Sequence, residues 1–530
     1  MQERTPRSAG VLVPLFSLRN ESSWGIGEIA DIDGFSGWLA GASHAVLQLL
    51  PVNAVSPGEN SPYSSMSAFA LDPIYIALRD VEDFQALGGE ASLDGEARAR
   101  LERVRNGPRV DYDGVRGLKN QALEASFRHF QGRELESGSR RAADFRAFLD
   151  ETAEWIYDYT LFRALHECRE RHWFDWEQPL RDRDAQALDE QRHALSERVL
   201  FHQYLQWQAA RQWQTARRAA AARGVRLKGD LPFMVSSHSA DVWAHREQFR
   251  MDATVGAPPD AFSADGQDWG LPPYDWDTMA KLDYSWLRAR ARRAAELFDL
   301  YRIDHVVGFY RTYIIPRNGA RPRFIPGEEQ DQIRLGKTIL GVFQSAGSEV
   351  VAEDLGVIPD FVRATMTEMG IPGYRVLRWE KEWHQPGQPF RNPAAYPELS
   401  IAVSGTHDTE TLATWWENLS REERADACRI PALGVLNPET SASFTPIVHD
   451  ALLEALYGSG SRSVILPIQD VFGTHDRINL PATVGPENWT YRLPWTIGEL
   501  WTSASGREAA ARVTARALRH GRMLAPGGAG

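Results

Sequence analysis

Residues 298–304, FDLYRID, run from an apolar stretch into an aspartate, and the same design returns at 348–354 in SEVVAED and at 399–408 in LSIAVSGTHD. Asp304, Glu353 and Asp408 therefore sit at the ends of three separate strand-like runs. Several strands that converge their C-terminal ends on one point are the hallmark of a (β/α)₈ barrel. On either side of these runs, short apolar or β-branched stretches alternate with helical patterns along the chain, as in parallel βαβ units. The strand candidates are Gly10 to Leu18, Ala45 to Val52, Val225 to Leu231, Leu297 to Ile303, Glu349 to Ala352, Tyr374 to Trp379, Leu399 to Ser404 and Ser463 to Gln469. Helices are expected at Asp283 to Leu297, Glu329 to Ser345 and Ile358 to Met369, the last stopped by Gly370. The predicted fold is α/β, a (β/α)₈ TIM barrel with large, mainly helical insertions.

The stretch from Val81 to Arg223 is rich in Ala, Arg, Glu and Leu with aromatic punctuation, and no strand pattern interrupts it. It reads as a helical insertion, which divides the chain into 1–80 (two barrel strands and substrate loops), 81–223 (insertion) and 224–530 (six further strands with active-site loops). At 530 residues the chain suits one barrel with insertions better than several small domains. A formal net charge of −12, without a basic run, argues against nucleic acid and anionic membranes as partners and is compatible with a neutral substrate. No apolar run reaches the length of a membrane span and the N-terminus lacks a leader pattern, so a cytoplasmic protein is expected. Cys168 and Cys428 are the only cysteines and read as two buried thiols rather than a disulfide.

The acids carry different chemistry. Arg302 precedes Asp304 by two, which puts both side chains on one side of a strand, where a guanidinium keeps a nucleophilic carboxylate ionised. Glu353 and Asp354 are adjacent and must point in different directions. Glu353, with its longer reach and the apolar approach of Val350, Val351 and Ala352, is the better general acid. His407 and Asp408 follow a Ser-Gly-Thr turn and can present hydrogen-bonding groups to sugar hydroxyls. Each aspartate also fits the plainer role of a helix cap. Splitting a glycosidic bond with retention needs a nucleophile and a proton donor of this kind. No metal is expected, since no His-x-His or His-Glu-x-x-His unit accompanies the acids. GIGEIA at Gly25 to Ala30 resembles a dinucleotide fingerprint, but it comes well after the first strand and no ribose-binding acid ends the second. No cofactor is expected.

Longer segments carry a resemblance. SPYSSMSAFALDP at 61–73, KGDLPFMV at 228–235, SADVW at 239–243, GAPPDAFSADGQDWGLPPYDWD at 256–277, then YRIDH, VAEDLG, GTHDT and RINLPAT, are similar to the amylomaltase (disproportionating enzyme) family of 4-α-glucanotransferases within the α-amylase superfamily. The resemblance implies Asp304 as nucleophile, Glu353 as acid/base and Asp408 as the residue that stabilises the distorted sugar. It implies substrate contacts for Arg302, His407, Asp230 and Tyr63. The aromatic residues Phe262, Trp269, Tyr274 and Trp276 of the 256–277 segment are expected to contact sugar and to dry the acceptor side. Maltodextrins or other α-1,4-glucans are the expected partners. The chain departs from the family pattern at Val306, Val307 and Gly308, at Thr409 and Glu410, and at Ser236, Ser237 and His238, all outside the three acids.

The implied reaction is a double displacement in which a glucan hydroxyl, rather than water, intercepts a covalent glucosyl enzyme. Two alternatives share these residues: an α-1,4-glucan hydrolase of the same superfamily, and a catalytically silent glucan-binding protein, which would tolerate loss of a carboxylate.

Overall fold

The computed structural model of the protein describes residues 6–259, 266–481 and 483–523. Eight strands form a parallel sheet: β1 Ser8–Leu12, β2 Val46–Gln48, β3 Arg226–Leu231, β6 Leu300–Ile303, β9 Glu349–Ala352, β10 Gly373–Val376, β11 Ser400–Val403 and β12 Ser463–Pro467. Their order is β10-β11-β12-β1-β2-β3-β6-β9. At the remaining seam the Ala352 N–H donates to the Pro372 carbonyl at 3.0 Å, which draws β9 and β10 together into a near-closed barrel. Each expected run overlaps one of these strands: β9 coincides with its run, β1 and β10 begin before theirs and end early, and the others are shortened. The helix Ser285–Leu297 runs up to the last residue before the Phe298–Asp299 turn, so β6 starts at Leu300 and not at Leu297. After β1, Pro14 begins a tight turn over Leu15–Ser17 and the strand ends at Leu12.

A second sheet goes beyond the expected barrel. β4 Ala253–Ala257, β5 Gln267–Leu271, β7 Thr312–Pro316 and β8 Arg323–Ile325 form an antiparallel sheet in the order β5-β4-β7-β8. Parts of the 256–277 segment thus belong to a strand pair anchored on β7. Phe262 lies outside the described residues.

Among the described residues between β2 and β3, regular structure is helical. Asp94, Asp111, Ser139 and Asp184 each accept a backbone N–H three residues ahead, the capping that starts four of these helices. Within the insertion Phe130 packs on Phe145, Tyr204 and Trp207 with ring centroids 5.1 to 5.5 Å apart, in a core continuous with that of the barrel. A buried ion cluster ties it to the barrel. Lys119 Nζ, on the helix Tyr112–Phe130, donates to Glu28 Oε1 at 2.7 Å and to the carbonyls of Ile74 and Ile76 at 2.8 Å. Arg79 reaches Glu28 and Asp31 from the other side. The GIGEIA segment is thereby given a structural use: a Cβ on Gly27 would meet the Leu15 carbonyl at 1.9 Å, and Glu28 is fully buried against Lys119.

The cysteine expectation is corrected in part. Cys168 is exposed, in the last turn of the helix Ile156–Arg169 beyond its buried face, and Cys428 is half-buried; both are free. No helix among the described residues is long and apolar enough to cross a membrane.

Lys119→Met leaves Glu28 buried with only Arg79 to offset its charge, and we expect it to cost about 3 kcal/mol. Chemical denaturation reads this directly, and adding Glu28→Gln to the same protein should recover part of the loss. An unchanged midpoint in the single variant would show that this ion pair does not hold the insertion to the barrel.

Candidate active site

The acids gather at the C-terminal ends of three neighbouring strands, β3, β6 and β9. On β3, Lys228 and Asp230 face into the barrel; on β6, Arg302 stands opposite Asp230 in register. Arg302 Nη1 donates to both Asp230 oxygens at 2.7 and 2.8 Å, while its Nη2 reaches Asp304 Oδ1 at 2.7 Å and Glu353 Oε2 at 3.8 Å. One guanidinium, 5% exposed, therefore touches or approaches all three acids. The chain turns sharply after Asp304, with His305 in the left-handed region at φ 46°. That turn aims the His305 N–H at Glu353 Oε2, 2.8 Å away, and the Leu355 N–H takes Oε1 at 2.8 Å.

Glu353 and its neighbour Asp354 separate as their adjacency requires. Asp354 turns into the wall, where Arg375 at 3.0 Å, Arg363 at 3.1 Å and the Tyr374 N–H at 2.7 Å surround it. The position works only because residue 373 is glycine: a Cβ there would sit 2.5 Å from Asp354 Oδ1. Glu353 is left facing the cleft.

Asp408 lies on the other side of the cleft and is held in place by neighbours from the far end of the chain. His407 Nε2 is 3.2 Å from its Oδ2, Asn479 donates to Oδ1 at 2.6 Å, and Arg477 donates to its backbone carbonyl at 2.7 Å. Tyr63 links the two sides. Its hydroxyl donates to Asp230 Oδ2 at 2.7 Å, and its ring stacks on His407 with centroids 4.9 Å apart. Trp489 packs against both rings at 5.7 Å.

The three acids differ electrostatically. Burial raises the Asp304 carboxyl to about 6, with Arg302 opposing and the Asp230 and Glu353 charges adding to the rise. Burial also raises Glu353, against Arg302 and its two backbone N–H donors. For Asp408 burial acts upward too, but His407 and Asn479 outweigh it and hold the carboxyl well below the usual range. The first two acids are thus pushed toward the protonated form and the third stays ionised. Arg302 does contact Asp304 as expected from sequence, but its charge is divided among three carboxylates, so burial prevails.

The aromatic residues of the 256–277 segment part company. Between the pairs Val255↔Leu271 and Gly256↔Asp268 the register shifts, leaving Trp269 and Gly270 in a bulge. Gly270 takes φ 69°, its N–H bonds Asp268 Oδ1 at 2.9 Å, and Gly256 has no room for a Cβ, which would lie 1.9 Å from the Gln267 carbonyl. Bulges re-aim side chains. This one sets Trp269 edge-on to His305, 5.0 Å between centroids, at the rim of the cleft. Tyr274 is a correction: it is 0% exposed, its hydroxyl donates to the Phe233 carbonyl at 2.8 Å, and Arg290 covers it at 3.1 Å, so it has no surface to offer a sugar. Trp276 packs on Tyr274 at 4.9 Å. Sequence reasoning missed Asn479, Trp489 and Tyr374; Asn479 lies in the RINLPAT segment already matched, which was the available signal.

A barrel whose paired acids share an arginine at the strand C-termini belongs, in class, with enzymes that cleave and remake glycosidic bonds. Residues 13–497 match the 4-alpha-glucanotransferase family profile, and the chain belongs to that family. It is similar to 4-alpha-glucanotransferases from Thermus thermophilus, 35% identical across 92% of this chain and 95% of that protein, and from Chlamydia pneumoniae, 32% identical across 93% and 92%. The solved amylomaltase from Streptococcus agalactiae in complex with acarbose superposes with a TM-score of 0.83 at 28% identity, covering 98% of this chain and all of that one.

The raised Asp304 carboxyl has a sign-defined consequence. Folded above its unfolded value, it contributes stability that is fully present below about pH 4 and is lost as pH rises through about 6. Asp304→Asn carries no such loss. The thermal midpoint of Asp304→Asn relative to the native protein should therefore climb between about pH 4 and pH 7.5; a gap that stays flat would mean the carboxyl is not raised.

Proposed function

We propose that the protein transfers α-1,4-glucan segments between maltodextrins by a retaining double displacement, with Asp304 as nucleophile, Glu353 as acid/base and Asp408 as the group that holds the distorted ring. The observation that carries this is the shared guanidinium. Arg302 Nη2 lies 2.7 Å from Asp304 Oδ1 and 3.8 Å from Glu353 Oε2, so those two oxygens are separated by no more than the two distances end to end, about 6.5 Å. Retention uses carboxyl groups about 5 to 5.5 Å apart, whereas inversion needs roughly 6.5 to 9.5 Å to seat a water between them.

In the first step an Asp304 oxygen bonds to the anomeric carbon, the glycosidic bond breaks, and the Glu353 proton goes to the departing glucan oxygen. Negative charge leaves Asp304 and appears on Glu353. Arg302 can follow it from one to the other with no rearrangement, which is the preorganised stabilisation that lowers barriers most. In the second step Glu353 removes the proton of an incoming glucan hydroxyl, whose oxygen displaces Asp304 from the anomeric carbon. Asp408, kept ionised by His407 and Asn479, accepts hydrogen bonds from ring hydroxyls, with Tyr63 and His407 stacked beside the same sugar. Trp269 on its bulge serves the acceptor side, where a bound glucan excludes water. The division 1–80, 81–223 and 224–530 is supported by the helical character of the chain between β2 and β3. The cytoplasm is the proposed compartment, and an exposed free thiol at Cys168 is in keeping with it.

Product analysis on maltotriose tests the reading. Glucose and chains longer than the donor should appear together; reducing ends that accumulate without longer chains would assign the protein to the hydrolases. Asp304→Asn should lower turnover on the order of 10⁴-fold while glucans still bind. Glu353→Gln should keep substantial activity on α-glucosyl fluoride, whose leaving group needs no proton. Trp269→Ala should raise the hydrolytic share of the products, and an unchanged ratio would remove Trp269 from the acceptor side.

A further inference from the structure

Beneath the Arg302 cluster lies a second buried cation that the proposed chemistry leaves unused. Lys228 precedes Asp230 by two on β3, so both enter the barrel, and Lys228 is 0% exposed. Its hydrogen-bond partner among the described residues is the Tyr374 hydroxyl, 2.6 Å away on β10, and its Nζ stands 4.8 Å from the centroid of that ring. The Arg302 guanidinium carbon lies 6.0 Å from the same centroid. Tyr374 is thus the common neighbour of two buried cations in successive layers of the barrel.

The surroundings make an ammonium here costly. Gln48 on β2 stands in register with it and Tyr374 reaches it from β10, while the charges of Arg302 on β6, Asp230 on β3 and Glu349 on β9, the last also paired with Arg226 and Arg462, act on it. Burial and the Arg302 charge hold the Lys228 amine down at about 7, with Asp230 and Glu349 pulling the other way. A methionine would occupy much the same volume without desolvating a charge. The charges above supply a reason for the lysine. Asp230, Asp304 and Glu353 together outnumber the single positive charge of Arg302, and Lys228 is the second cation within the barrel interior. A cavity of about 10 Å³ bounded by Gln48, Arg302, Tyr374 and His407 lies beside Tyr374, room for a single water.

We propose that Lys228 is a positioning residue for the transfer reaction: through Tyr374 and Arg302 its positive charge keeps Asp304 ionised, and so sets where the acid side of the rate profile falls. The inference rests on Asp304 as nucleophile. Hydrolysis of α-glucosyl fluoride isolates that step, because fluoride departs without a proton and the acid limb of kcat/KM then follows the nucleophile. In Lys228→Met the limb should move to higher pH by about half a unit or more, since the loss of a nearby cation raises a carboxyl. kcat below neutrality should fall, and KM for maltotriose should hold. Lys228→Arg should keep the native limb. Tyr374→Phe, which removes the hydroxyl but not the ring, should shift the limb in the same direction, and the double variant no further than the larger single. It also carries the test if Lys228→Met does not fold. Variants that lose thermal stability but keep the native limb overturn the proposal and leave Lys228 a structural residue. A native protein that shows no acid limb, or does not release fluoride, overturns the nucleophile assignment and the proposal with it.

Discussion

The candidate site is organised around one buried guanidinium. Arg302 lies inside the barrel at the level where β3, β6 and β9 end, and a cation in that place needs anions within hydrogen-bond distance to offset its lost hydration. Asp230 supplies two bonds, Asp304 one, and Glu353 stands a little beyond. The strands contributing these residues are neighbours in the sheet although separated by long stretches of sequence, so the pairing of β3, β6 and β9 assembles the cluster. The rest of the cleft is built on that cluster. Tyr63 reaches the cleft because Asp230 has an oxygen to accept its hydroxyl, and His407 is placed by stacking on Tyr63. Asp408, paired with His407, comes last in that chain of contacts.

The same cluster sorts the acids into roles by environment. Asp304 and Glu353 compete for one guanidinium at a largely buried site, and burial raises both. Asp408 has its own histidine and an asparagine, and stays charged. Groups whose surroundings push their affinities for protons apart are where acid, base and electrostatic roles are found. The proposed division of labour needs no feature beyond this difference.

Strand-end acids are legible in the sequence because a parallel barrel presents function at one end of its strands, and a short apolar run ending in a carboxylate is a local signal. Glu353 can be preferred over Asp354 from chemistry alone. That Asp354 is paired with Arg363 and Arg375 in a space opened by Gly373 cannot be read, since those contacts arise from packing the helix Asp360–Glu368 and β10 against the end of β9. Tyr274 shows the opposite error. Aromatic density in the 256–277 segment points to sugar contact, yet the β4–β5 bulge sets Trp269 beside His305 while the bridge from Phe249 to Tyr274 holds Tyr274 in the core. The second sheet leaves little trace in the sequence because its strands are short and punctuated by Pro and Gly, so period-two alternation never runs long enough to register.

The register of β4 against β5 bears on the choice between sugar and water. A flexible loop over an acceptor site would order itself at an entropic cost each time a glucan bound. A strand pair anchored through β4 on β7 has met that cost in folding, and its bulge fixes Trp269 beside His305, the residue whose backbone N–H also holds Glu353. The aromatic wall and the acid/base are therefore connected through one residue. On the proposed mechanism the base that activates the acceptor and the surface that receives it are set by a single turn, one that His305 completes in the left-handed region. An incoming glucan ring seated against Trp269 would then present its hydroxyl to Glu353 from a fixed direction, whereas water, with no flat apolar face to stack, gains nothing from the wall.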